Sequence, residues 1–346
     1  MKIIADKQYI FQEGQPFQSS HASTVAILPE GDLLVAWFAG QHEKASDVAI
    51  WLARKNHSGA WSVPRKVADE EGIAHWNPVL YAQGDSLMLF YKVGHEITDW
   101  HTRIIRSGDG GYTWTASREL VPGDIGGRGP VRNKPIQLED GTMLAPASIE
   151  RLDPEVLGKQ IWESFVDIST DHGEKWTKSA HVPMDLSTYV GAEHWFAKGL
   201  IQPTLWSSGG ERVHMLLRST EGVIFRSNSP DGGRTWCEAY ATELPNNNSG
   251  IDAIRMEHGL LALVYNPVSG YATESPRTPL VITFSTDNGQ TWGDEYVLEN
   301  EPGEYSYPAI VSQGKDLYVT YTWKRDRVAF WKLTVTHNDE EGPQER

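Results

Sequence analysis

A short turn motif recurs along the chain, and it constrains the fold more than any other feature of the sequence. Each copy is eight residues long, with Asp third, Gly fifth and Trp last; the clear copies are residues 107–114, 169–176, 229–236 and 285–292, and 54–61 is a decayed one. Asp and Gly favour a tight turn, and the Asp carboxylate accepts backbone N–H bonds. Each copy therefore predicts a β-hairpin with the Trp packed beneath it.

A second repeat runs in phase with the first. Residues 28–37 combine a glycine turn with an apolar strand, and equivalent turns lie near Gly84, Gly141, Gly209, Gly259 and Gly314. Six repeats of about 58 residues, each with roughly four strands, are typical of a β-propeller. We therefore predict an all-β, six-bladed propeller.

The domain boundaries follow from the repeats. Residues 1–336 are predicted to form a single propeller domain, and the polar residues 337–346 a disordered tail. The last repeat lacks the turn motif. We therefore expect residues 8–11 at the N-terminus to supply its outer strand and close the ring.

Composition excludes several classes of function. There are 31 Lys and Arg against 46 Asp and Glu, a net charge of −15, which disfavours partners such as nucleic acid or an anionic membrane surface. A single cysteine, Cys237, excludes an internal disulfide and a multi-thiolate zinc site. No metal motif is present, so neither a metal nor another cofactor is expected. The oligomeric state stays open.

The N-terminus bears on the cellular compartment. Residues 1–7 lack the apolar run of a secretory signal. We expect a cytoplasmic protein, or a secreted or periplasmic one if a signal peptide has been removed.

Polar clusters begin the innermost strand of each repeat. Counting back from each turn glycine places there His21, Asn77, Asn133, Lys134, Gln202, Asp252, Tyr305 and Tyr307, with Trp76 beside them. These strands converge on one axis, so we predict a ligand site at one mouth of the central channel.

The whole chain resembles the Asp-box sialidase superfamily, which is also known as the BNR-repeat proteins. The resemblance implies a retaining exo-glycosidase with a Tyr nucleophile, a Glu partner, an Asp acid/base and three arginines that bind the substrate carboxylate. Glu304-Tyr305-Ser306 resembles the nucleophile motif, which assigns that role to Tyr305. Arg218 and Arg277 resemble the second and third arginines.

Two positions depart from the family pattern. His21 stands where the family has its first arginine, and Gln202 where it has the glutamate. A histidine can act as general acid or base at neutral pH. Glu43 and Asp47, in one loop, are the candidates for the carboxylate acid/base. Glu193 and His194 are candidates for a second acid/base pair.

The sequence thus predicts a sialidase-like glycosidase acting on a terminal acidic sugar, either a sialic acid or a uronate. Arg218, Arg277 and Lys134 are predicted to bind the carboxylate of this carbohydrate partner. Further predicted binding residues are Gln202, Asn77, Asn133, Asp252, Tyr307 and Trp76. Two alternatives remain open: a histidine-dependent enzyme that cleaves rhamnosyl-glucuronate or uronate polysaccharides, and a carbohydrate-binding propeller without catalysis.

Overall fold

The computed structural model describes residues 1–56, 59–189, 196–270 and 276–336. In these residues lie 24 β-strands and two short 3-10 helices, Ile97–Asp99 and Leu186–Thr188. No helix among them is long and apolar enough to cross a lipid bilayer. The predicted tail and the candidate pair Glu193 and His194 lie outside the described residues.

Four separate antiparallel sheets contain four strands each. The first sheet is β2 (Ser19–Ile27), β3 (Leu33–Gly40), β4 (Ala49–Lys55) and β5 (Arg65–Ala68). The second is β6 (His75–Gln83), β7 (Ser86–Val93), β8 (His101–Ser107) and β9 (Arg118–Glu119). A third is β18 (Asp252–Arg255), β19 (Leu261–Tyr265), β20 (Leu280–Ser285) and β21 (Tyr296–Glu299). The fourth joins both chain ends: β1 (Lys2–Tyr9), β22 (Tyr305–Gln313), β23 (Asp316–Trp323) and β24 (Arg327–Thr336).

The middle of the chain forms one sheet of eight strands. Its first half is β10 (Ile136–Gln137), β11 (Met143–Leu152), β12 (Gln160–Ser169) and β13 (Thr177–Lys178). Its second half is β14 (Ala197–Gly209), β15 (Arg212–Ser219), β16 (Val223–Ser229) and β17 (Tyr240–Pro245). The halves are joined by a short parallel pairing of β12 with β14, from Gln160↔Ala197 to Trp162↔Gly199.

The structure is an all-β propeller, but the prediction of six separate blades is wrong. Four blades are separate, and the third and fourth predicted repeats share one sheet. The glycine at position 199 permits this junction, because a Cβ there would lie 2.1 Å from the carbonyl oxygen of Trp162. The strands that begin the repeats still surround one axis, since β2 contacts β6 and β22, and β18 contacts β14 and β22.

The four clear copies of the turn motif share one hydrogen-bonding pattern. In the first copy, Ser107 donates to the Asp109 carboxylate at 2.7 Å and accepts from the amide of Gly111 at 2.8 Å. Asp109 also accepts from the amide of Thr113 at 2.9 Å. The same bonds recur around Asp171, Asp231 and Asp287. These carboxylates are occupied in fixing the turns between the third and fourth strands.

The N-terminus closes the last sheet, as predicted. Strand β1 pairs antiparallel with β24, from Lys2↔Thr336 to Tyr9↔Ala329. The pairing runs over residues 2–9 rather than the predicted 8–11, and the amide of Ile10 extends it with a 3.0 Å bond to the carbonyl of Val328.

Candidate functional site

Four of the innermost strands carry the same irregularity near their starts. The pairing register shifts between His21 and Thr24, and at the equivalent places in β6, β14 and β22. Inside each shift one residue has a positive φ; these residues are Ala22, Asn77, Gln202 and Tyr307, with φ between 39° and 52°. A β-bulge turns a side chain away from its regular direction and costs free energy at a non-glycine residue. The repeated bulges therefore re-aim side chains at the same end of the propeller.

Polar groups from neighbouring strands hold these bulges in place. The amide of Ala22 donates to Thr322 Oγ1 at 3.0 Å, and the amide of Gln202 donates to Ser148 Oγ at 3.2 Å. Arg132 Nη2 donates to the carbonyls of Tyr307 and Pro308. These bonds offset the strain of the positive φ values.

Three arginines surround the Tyr307 ring. The guanidinium carbons of Arg132, Arg218 and Arg277 lie 5.3, 5.8 and 5.6 Å from the ring centroid. Arg325 completes this group, which we call the arginine cluster, because it shares the carboxylate of Glu304 with Arg277. A concentration of cations in a chain of net charge −15 indicates a site for an anion.

Two carboxylates form ion pairs with the arginine cluster in the described part of the chain. Glu304 accepts from Arg277 at 3.1 Å and from Arg325 at 2.9 Å, and Glu43 accepts from Arg325 at 2.7 Å. Burial raises the pKa of Glu304, but the bonds and charges of Arg325 and Arg277 outweigh it and lower the pKa overall. Both carboxylates are engaged in ion pairs. The charges of Asp252 and Glu150 also act on Arg132 and Arg218, and Asp252 is paired with Lys134, so five cations stand against four carboxylates and positive charge is in excess.

Arg218 is buried and presents its guanidinium toward the mouth through two uncharged acceptors. Its Nε donates to Asn248 Oδ1 at 2.7 Å, and its Nη1 donates to Gln202 Oε1 at 3.0 Å. The same Nη1 lies 3.4 Å from the Tyr307 hydroxyl. Because neither amide carries charge, these bonds orient Arg218 without neutralising it; the carboxyl group whose charge acts on it is Glu150.

Tyr307 is a phenol whose ionisation the arginines favour. Burial alone would raise the pKa of Tyr307, but the charges of Arg218 and Arg277 outweigh burial and the opposing charge of Glu43, so the pKa is lowered. A phenol of lowered pKa is a better nucleophile or base at neutral pH.

His21 lies directly beside this phenol. The two ring centroids are 4.5 Å apart in an edge-to-face arrangement, and His21 Nδ1 lies 2.9 Å from Thr322 Oγ1. Burial, together with the charges of Arg325 and Arg277, lowers the pKa of His21 well below its usual value. The imidazole is therefore neutral at pH 7.

Among the described residues, no group of three or more His, Cys, Asp or Glu side chains is placed to hold a metal ion. The functional groups at this site are guanidiniums, a phenol, an imidazole, amides and two ion-paired carboxylates.

The family model described as the BNR repeat-like domain matches residues 31–319 of the chain. The chain belongs to the BNR repeat-like family. No curated protein sequence matches it at a significant level.

Solved structures with the same fold include sialidases. A protein of unknown function from Dyadobacter fermentans has a TM-score of 0.77 at 15% identity, covering 96% of this chain and 99% of that one. The NanB sialidase of Streptococcus pneumoniae has a TM-score of 0.74 at 13% identity, covering 95% of this chain and 70% of that one. The Trypanosoma rangeli sialidase has a TM-score of 0.71 at 13% identity, covering 95% and 59%. These likenesses establish a sialidase-like propeller fold for this BNR repeat-like protein.

The structure does not bring the predicted nucleophile, Tyr305, to the arginine cluster. Its ring is 1% exposed and packs near Tyr321 and Trp323, each 6.5 Å away between centroids. Burial raises the pKa of this phenol. In a regular strand Tyr305 and Tyr307 would share a face, but the bulge at Tyr307 separates them. The tyrosine among the arginines is Tyr307, which the sequence assigned to binding.

Lys134 and Asp252 form an ion pair with each other, within electrostatic range of Arg132. Lys134 Nζ donates to both carboxylate oxygens of Asp252 at 2.9–3.0 Å. Asp252 accepts as well from Thr204 Oγ1 at 2.7 Å and from the amide of Ile310 at 2.9 Å. Both side chains are thereby committed to joining inner strands, so this geometry favours a structural role over substrate binding.

Three more predicted binding residues differ in their surroundings. Asn133 donates to the carbonyls of Gln202 and Pro203 at 3.2 and 3.0 Å, and so holds a bulge. Trp76 is 2% exposed, donates to the carbonyl of Gly94 and packs against other aromatic rings, so it is a core residue. Asn77 occupies a bulge position equivalent to Tyr307 at the mouth.

The two candidate carboxylates of the first loop are separated. Glu43 reaches the arginine cluster through Arg325. Asp47 is exposed and accepts from the amide of Gln41 at 3.1–3.2 Å, which stabilises its own loop. The geometry therefore favours neither of them as a free acid.

Sequence reasoning missed four residues of the site. Arg132 precedes the predicted binding residues Asn133 and Lys134 in the sequence, so its position could have identified it as a site residue. Glu304 was visible only as a neighbour of Tyr305. Arg325 lies in the last hairpin, and Glu150 lies near the end of β11; nothing in the sequence pattern singles out either one.

Proposed function

We propose that the chain is a sialidase-like glycosidase that cleaves a terminal acidic sugar from an oligosaccharide or glycan. The observation that carries this proposal is the arginine cluster around Tyr307. Guanidiniums bind carboxylates through paired, charge-assisted hydrogen bonds. An acidic sugar, either a sialic acid or a uronate, supplies the carboxylate that would balance the excess positive charge.

In this proposal Tyr307, rather than Tyr305, is the nucleophile. The family pattern activates its tyrosine with a glutamate, and here that position is Gln202, which cannot accept a proton. Arg218 and Arg277 favour the phenolate by their charge instead, and the lowered pKa of Tyr307 supports this substitution. The carboxylate of the sugar would bind beside the phenolate and place the anomeric carbon within its reach.

The test compares turnover of methylumbelliferyl conjugates of sialic acid and glucuronic acid with turnover of uronate-terminated oligosaccharides. Wild type, Tyr307→Phe and the matched control Tyr305→Phe would be measured side by side. We expect turnover in wild type and in the control, and its loss in Tyr307→Phe. Binding of these sugars without turnover in wild type would make the protein a carbohydrate-binding propeller.

One observation favours a second chemistry, elimination from a uronate. Neutral His21 lies 4.5 Å, between ring centroids, from Tyr307, so two proton-transferring groups stand side by side. One of them would remove the C5 proton next to the carboxylate, the bond from C4 to the oxygen of a neighbouring sugar would break, and the other would protonate that oxygen. This reaction therefore needs a uronate that carries a sugar on C4. The arginines would stabilise the negative charge that develops on the carboxylate.

Isotopically labelled water separates the two reactions. Hydrolysis places one oxygen from water in the released acidic sugar, whereas elimination places none and leaves a carbon–carbon double bond that absorbs ultraviolet light. Label in the product supports hydrolysis. An unlabelled, ultraviolet-absorbing product that is lost in His21→Ala supports elimination.

A further inference from the structure

Hydrolysis at this site requires a carboxylic acid that still holds its proton at neutral pH. The pKa of Glu304 is lowered by Arg325 and Arg277, and the Glu43 carboxylate is engaged in an ion pair with Arg325. Asp47 is exposed and bonded to its own loop. The nearby carboxylates considered so far therefore do not supply the proton donor.

Glu150 lies near the same mouth, on β11. Two residues before it, Ser148 Oγ accepts a 3.2 Å bond from the amide of Gln202, so this face of β11 is turned toward the bulge of β14. Side chains two apart in a strand share a face and lie about 7 Å apart. Glu150 therefore lies two residues beyond Ser148 on the same face of β11, the face that is turned toward Gln202 and Arg218.

The charged groups around Glu150 are few. From β15, Arg218 acts on it electrostatically. From β12, Trp162 lies directly opposite Glu150 in the strand pairing, and its indole N–H is shared between Glu150 and Gln160 Oε1, to which it donates at 3.1 Å. The adjacent residue, Arg151, alternates to the other face, where it pairs with Glu163 at 2.6 Å. His181 joins that outer pair at 3.5 Å.

This environment keeps a proton on Glu150 at neutral pH. Burial raises the pKa of Glu150 to about 7, and Arg218 and the Trp162 N–H oppose that rise only in part. Near neutrality the group is present both as acid and as carboxylate, as a residue that donates and then accepts a proton must be.

We propose that Glu150 is the general acid/base of this site, a role that rests on the proposed hydrolysis. As the glycosidic C–O bond breaks, its electron pair goes to the leaving oxygen, which takes the proton of Glu150, while the phenolate oxygen of Tyr307 bonds to the anomeric carbon. Water then attacks that carbon, gives its proton to the Glu150 carboxylate, and Tyr307 leaves as phenolate.

The test uses Glu150→Gln, with Glu163→Gln as the matched control on the outer face. Substrates are one acidic sugar carried on two leaving groups, a sugar alcohol and a nitrophenol. We expect kcat/KM of Glu150→Gln to fall about 100- to 10,000-fold for the sugar leaving group. The fall should be much smaller for nitrophenolate, which departs without a proton. Added azide should restore turnover of the nitrophenyl substrate.

The pH profile gives a readout that a merely structural role would not move. Wild-type kcat/KM should fall as pH rises through about 7, because the acid form of Glu150 is lost. Glu150→Gln should not show this fall with pH, whereas Glu163→Gln should show it as wild type does. If kcat/KM of Glu150→Gln fell equally for both leaving groups, or if its kcat/KM still fell as pH rises through about 7, the role of Glu150 would be overturned while the proposed function would stand. Absence of wild-type turnover on every acidic glycoside would overturn the proposed function and this role with it.

Discussion

Arg218 Nη1 lies 3.4 Å from the hydroxyl of Tyr307, while its Nε and Nη1 are bonded to the neutral amides of Asn248 and Gln202. Asn248 and Gln202 orient the guanidinium without cancelling its charge. The charge therefore acts on the phenol and on any carboxylate bound beside it. The uncharged Gln202 thus leaves the cation free to favour the phenolate.

Replacing Tyr307 by Phe should abolish turnover while leaving the fold intact. The hydroxyl lies at the mouth, and removing a nucleophile leaves only binding and electrostatic stabilisation. We expect kcat to fall at least about 1,000-fold, measured by steady-state kinetics on the best acidic glycoside. Tyr305→Phe is the control, because that ring lies in the core; comparable losses in both variants would contradict the assignment.

Replacing Arg218 by Met should weaken the binding of carboxylated sugars selectively. Hydrogen bonds to a charged group contribute about 1.5–3 kcal/mol, so Kd should rise roughly 10- to 150-fold. Titration calorimetry with a uronate and with its methyl ester measures the selectivity, since the ester carries no charge. Arg118→Met removes an exposed arginine paired with Glu174 and should leave both affinities unchanged. An equal loss for uronate and ester would show that Arg218 does not bind the carboxylate.

Replacing Asp252 by Ala should destabilise the protein strongly. The substitution leaves the buried ammonium of Lys134 without its anion and frees Thr204 and the amide of Ile310. Breaking a buried ion pair in this way costs about 3–5 kcal/mol, and urea unfolding would measure it. If stability were unchanged and only sugar affinity fell, Asp252 would be a binding residue as the sequence predicted.

His21 should make stability depend on pH on the acidic side of neutrality. Its pKa is lowered in the folded protein, by burial first and by the arginines next, so the unfolded chain binds the proton more readily. Stability is complete above the unfolded pKa of about 6.5 and falls below it by up to about 1.4 kcal/mol per pH unit. Urea unfolding between about pH 5 and 8 should show this slope in wild type and a shallower one in His21→Gln. Parallel curves would contradict it.

The propeller class was predictable because its signals are local. Each turn motif carries its own carboxylate, hydroxyl and glycine, and the bonds around Asp109 all join residues within a few positions of each other. The six-blade count failed at Gly199, where a parallel pairing joins two repeats. That pairing depends on the approach of two strands that are distant in the sequence.

The candidate site was predictable only in part. His21 and Gln202 were identified at strand starts, and Arg218 and Arg277 from the resemblance to the Asp-box sialidases; the structure gathers all four at one mouth. The sequence did not indicate that Tyr307 rather than Tyr305 lies among the arginines, because alternation along a strand holds only where the strand is regular. The bulge that separates these two tyrosines is held by Arg132, which lies 175 residues away from Tyr307 in the sequence.

The sequence by itself determined the repeating hairpins, the all-β class and the presence of arginines, a histidine and tyrosines at the innermost strands. These properties follow from turn chemistry and periodicity, which act between near neighbours. Only the tertiary structure decided which cations remain available to a ligand. Lys134 is neutralised by Asp252, whereas Arg218 is bonded to neutral amides. The charge balance of a buried site depends on ion-pair partners from several strands. These partners come into contact only when the strands are assembled in the closed propeller.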